Sequence, residues 1–160
     1  MKQLCGALLV VALLGISACE KKVDIKTETK NVQSVLEQWV KAIETDDIDL
    51  LSKVFAHDED IVIFGTDPTQ HWTGWEAFKK SVADQSEGMS TVKYTRGTPV
   101  IKIHDSGKVA WFSEIADLNI QVQDQQIIVS GVRVTGVLEN RNGIWVVVQA
   151  HLSAPEQENE

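Results

Sequence analysis

The chain has 160 residues, 43% of them hydrophobic and 24% charged, which suits one folded domain and leaves too little for two. The formal net charge is −8; a surface of that sign repels phosphate backbones, so nucleic acid is excluded as a partner. Residues 1–18 carry Lys2 as their single charged side chain, and without them the balance is 14 basic against 23 acidic residues, or −9.

In chain order, Lys2 and the apolar run Leu4–Leu14 come first, followed by the small residues Gly15-Ile16-Ser17-Ala18. The run is shorter than the roughly 20 residues of a spanning helix, which predicts a cleaved export signal over 1–18. Ile16-Ser17-Ala18-Cys19 resembles the lipobox of bacterial lipoproteins. That resemblance implies lipidation of Cys19 and tethering to a bacterial membrane, the outer one on its periplasmic side where the cell has two. Of the two cysteines, Cys5 is lost with the signal, so the folded part has no thiol for a disulfide or metal site.

Residues 19–30 are polar without apolar period and predict a flexible tether. The domain is expected over 31–154, with an acidic tail at 155–160. Val32, Val35, Leu36, Trp39, Val40 and Ile43 recur at helical spacing. Asp47 is placed to cap a short second helix carrying Leu50, Leu51, Val54 and Phe55. Ile61–Phe64 predicts a brief strand, and Asp67 beside Pro68 a turn-capping residue. Thr73 and Glu76 match a capping box at the start of a third helix that buries Trp75, Phe78 and Val82.

From Val92 onward the pattern is strands: 100–104, 109–122, 127–140 and 144–153, joined by short turns and therefore antiparallel. Three helices on a curved antiparallel sheet make an α+β architecture. A three-residue turn Arg141-Asn142-Gly143 sets Asn140 opposite Ile144, Arg133 opposite His151 and Thr135 opposite Gln149. One sheet face then carries Arg133, Thr135, Gln149 and His151, with Val137, Trp145 and Val147 nearer the turn. Val146, Val148, Ala150 and Leu152 fall on the other.

Phe64–Pro68, His71–Phe78, Val109–Trp111, Arg133–Glu139 and Gly143–Ser153 together resemble the SnoaL-like branch of the nuclear-transport-factor-2-like (NTF2-like) superfamily, over residues 30 to 154. The resemblance implies a cone: a curved antiparallel sheet wrapped around the long first helix, with a pocket at the open end. Related domains include isomerases, cyclases, dehydratases and binders, so chemistry has to come from side chains.

The candidate ligand-binding residues are Trp72 and Trp111 as flat walls, with Arg133, Thr135, Gln149 and His151 as polar contacts. Arg133 would clamp a carboxylate, and His151 would act as general acid or base if the protein is an enzyme. The lone tyrosine, Tyr94, has no assigned place in the pocket, and no paired acid or His–Tyr catalytic set assembles. His57, His71, His104 and His151 lack the close spacing of metal ligands, and no Gly-rich phosphate loop implies a cofactor. The expected function is therefore non-catalytic binding of a small polar or anionic molecule. An enzyme using His151, or a structural module that forms a homodimer through its outer sheet face, are the alternatives.

Overall fold

The computed structural model describes residues 22–86 and 91–156. The signal segment, Cys19, the first residues of the expected tether and the last four of the acidic tail lie outside them. Helix α1 spans Ile25–Thr45, capped by the Asp24 carboxylate, which accepts from the Thr27 amide. It takes in residues 25–30 that composition gives to the tether. The physical reason is that Thr, Glu and Lys tolerate a helix well once a cap is present. Its apolar stripe buries Val32, Leu36, Trp39 and Ala42.

Helix α2, Ile48–Val54, is capped by Asp47, whose Oδ1 accepts from the Leu50 amide at 2.8 Å. Strands β1 (Val62–Phe64) and β2 (His71–Thr73) flank a turn in which Asp67 Oδ1 accepts from the Thr69 amide. Helix α3 spans Trp75–Ser86. Its first turn differs from the capping-box expectation. Thr73 stays in β2 opposite Val62, Gly74 (φ 85°) accepts from the Phe78 amide, and the Trp75 amide donates to Asp58 O.

Strands β3 (Thr91–Arg96), β4 (Val100–Ile103), β5 (Val109–Val122), β6 (Gln125–Arg141) and β7 (Ile144–Ser153) complete one sheet. Its order is β2-β1-β7-β6-β5-β3, with β4 also on β5. The expectation of a wholly antiparallel sheet is corrected at one pair. β1 runs parallel to β7, because the chain leaving α2 is led along β7 by the Ala56 amide donating to Val147 O.

The β6–β7 register also differs. Asn142 and Gly143 both have positive φ, 58° and 92°, so the turn is the two-residue Asn-Gly type and Arg141 faces Ile144. A bulge at Val148 then adds a second one-residue shift. The two shifts sum to a full pleat. Thr135 therefore pairs with His151, Val137 with Gln149 and Arg133 with Ser153. Arg133 and His151 share a face as expected but sit diagonally. Between turn and bulge the phase is reversed, so Trp145 and Val147 are buried with Ala150.

The core lies between α1 and the concave face of the sheet. Trp39 packs edge-on against Phe55 at 5.1 Å and Phe112 at 6.3 Å between ring centroids. Burying such aromatic area adds to the stabilisation from the aliphatic core.

Candidate ligand cavity

The sheet curls away from the C-terminal half of α1 and leaves a cavity of about 560 Å³. Its buried walls include Leu36, Trp39, Leu51, Ile63, Phe78 and Leu118. Trp72, half-buried, lines it and meets Phe78 at 5.8 Å between ring centroids. The exposed lining residues, which form the rim, include Glu44, Thr45, Asp46, Asp47, Thr66 and Thr91.

Beside the half-buried Gln70 and Gln85, polar chemistry inside the cavity comes from β3 and β5. On β5 the inward positions run Ala110, Phe112, Glu114, Ala116, Leu118, so one carboxylate interrupts an apolar phase. Glu114 is 8% exposed. Its cation is Arg96 on β3, with Nε–Oε2 at 2.9 Å and a terminal nitrogen to Oε2 at 2.6 Å. Burial raises the Glu114 pKa from the ordinary carboxylate value, and the Arg96 hydrogen bonds pull part of that back.

Tyr94, two residues before Arg96, also lines the cavity. Its backbone amide donates to Glu44 Oε1 at 2.9 Å, which ties the edge of β3 to the end of α1. Its hydroxyl has no hydrogen-bond partner among the described residues. Burial, then the Glu114 charge, push the phenol well above its ordinary pKa, so it is a protonated donor.

The other predicted site residues do not line the cavity. Trp111, Arg133, Thr135 and His151 are exposed, and Gln149 half-buried, on the convex face of the sheet. The reason is the pleat: they alternate with Phe112, Val132, Val134 and Ala150, which hold the core face. His151 meets Phe64 edge-on at 5.6 Å, and Phe64 stacks on His71 at 4.8 Å. Tyr94, Arg96 and Glu114 were missed. The signal for Glu114 was its position in the apolar phase of 110–118; nothing local marked Arg96 or Tyr94, because their placement follows from which strand pairs with β5. Among the described residues, no three His, Cys, Asp or Glu side chains are grouped to hold a metal.

A sheet wrapped on a long helix with a cavity at one end is the NTF2-like fold. The chain belongs to the SnoaL-like domain family, which matches residues 32–157. An NTF2-like superfamily protein from Salmonella enterica serovar Typhimurium LT2 superposes with a TM-score of 0.74 at 17% identity, covering 84% of this chain and 95% of that one. An NTF2-like protein of unknown function from Pseudomonas putida KT2440 gives 0.64 at 21% identity, covering 84% and 90%. A candidate scytalone dehydratase from Novosphingobium aromaticivorans gives 0.72 at 12% identity, covering 84% and 89%. At these identities the likeness shows the fold alone. No curated protein matches the sequence.

Proposed function

We propose that this protein is a lipid-anchored envelope domain that binds a small, mostly apolar molecule in its cone cavity, without catalysis. The observation that carries the reading is the cavity itself. About 560 Å³ of space walled by aromatic and aliphatic side chains, with a few convergent polar groups, has the character of a small-molecule site. Against catalysis stands the placement of the acid–base groups. His151 is outside, and both Glu114 oxygens are engaged by Arg96. The expectation of an anionic ligand gives way, since no Lys, Arg or His lines the cavity among the described residues. The lipobox-like Cys19 is the basis for the envelope location.

The test is fluorescence titration with neutral N-phenyl-1-naphthylamine. One probe per chain is expected, with binding lost in Val82→Trp, which fills the cavity from α3, while circular dichroism is unchanged. Equal uptake by the variant would place the probe elsewhere and sink the reading.

A second reading has its own observation. Trp111 (47% exposed) and Ile115 (62% exposed) lie on the convex face with Val100. Such a face suits a second copy of the chain. Sedimentation should then show a dimer that Ile115→Lys dissociates; a wild-type monomer would rule it out.

A further inference from the structure

Building on the cavity reading above, we propose that its ligand is a cationic amphiphile, an apolar or aromatic body bearing a protonated amine, with the amine held at the rim. The cavity divides by exposure. Behind the rim the lining is apolar apart from Gln70, Gln85, Tyr94 and Glu114, whose charge Arg96 neutralises from outside the lining. Its rim carries three carboxylates, Glu44, Asp46 and Asp47. None of the three has an ion-pair partner among the described residues.

The rim is also where α1 ends. A 21-residue helix presents its negative dipole end there, and its last turn has no basic residue to offset it. Two of the carboxylates have structural work that leaves acceptor capacity free. Glu44 accepts from the Tyr94 amide through Oε1, and Asp47 accepts from the Leu50 amide through Oδ1. A carboxylate has about four lone-pair sites, so each can still take an ammonium N–H. An amine at the rim keeps part of its water, so it avoids the cost of burying a charge beside Arg96. The body, meanwhile, displaces water from the walls at Trp39, Trp72 and Phe78. An anion of the same shape would meet repulsion from the three rim carboxylates.

The experiment compares three probes of one skeleton, 4-phenylbutylamine, 4-phenylbutan-1-ol and 4-phenylbutanoate. Calorimetric titration uses the full chain in nanodiscs, with empty nanodiscs as blank. The amine should bind about tenfold tighter than the alcohol, and the carboxylate weakest. In the double variant Glu44→Gln, Asp46→Asn the amine's advantage should fall to near onefold with the alcohol unchanged. Gln keeps an oxygen for the Tyr94 amide, and Asn tolerates the left-handed φ of 51° at position 46. An alcohol that binds as tightly as the amine, or an advantage that survives the double variant, overturns the inference and leaves the cavity reading standing. Binding by none of the three overturns both.

Discussion

Arg96 and Glu114 place a full ion pair behind an apolar wall, with side chains 15% and 4% exposed. Removing one partner of such a pair is costly, because the charge left behind has neither water nor counter-ion. Arg96→Met should therefore lose about 3 kcal/mol at pH 8. The loss should shrink in acid. Without Arg96, Glu114 in the folded state takes up a proton more readily than in the unfolded chain. A raised folded pKa contributes stability that is present below the unfolded value and lost as pH climbs through the folded one. Wild-type Glu114, already raised by burial, has the same sign with a smaller amplitude. Urea melts of the variant at pH 5 and pH 8 check this, and a deficit independent of pH would mean Glu114 is not the group left exposed to the penalty. The pair was illegible in the sequence because charges at 96 and 114 meet only through the β3–β5 register, Arg96 opposite Ala116.

Among the elements, helices and strands were legible wherever apolar period and caps agreed. Asp47 before Ile48–Val54 and the alternation along 109–122 are the clearest cases. The β6–β7 hairpin was read with the right faces at Arg133 and His151 for the wrong register, since a shorter turn and a bulge cancelled in parity. What pattern could not supply was which face of the sheet turns inward near the bulge. The start of α1 was missed because residues 25–30 have no apolar period; beyond the Asp24 cap, a long-range bond ties them to the sheet. Glu28 accepts from the Trp145 indole nitrogen at 2.7 Å, and Trp145 is buried at the far end of the chain. Glu28→Ala should cost about 1–3 kcal/mol, the range for losing a charge-assisted bond to a buried donor, and Glu28→Gln less. An unchanged urea midpoint for Glu28→Ala would return these residues to a tether.

For the whole molecule, the apolar signal segment and Cys19 set the expected address, and the cavity sets the expected task. Among the described residues no helix is long and apolar enough to cross a membrane; the proposed attachment is through lipid on Cys19. Cys19→Ala should move the protein from the detergent phase to the aqueous phase when the producing cells are partitioned. Wild type found wholly in the aqueous phase would contradict the anchor. The central claim, that a small molecule occupies the cone, is met most directly by native mass spectrometry of the full chain released gently from its membrane. The expected result is a species one small molecule heavier than the bare protein, at one-to-one stoichiometry, and absent from Val82→Trp. Bare protein alone, or the same added mass on the filled variant, would contradict it.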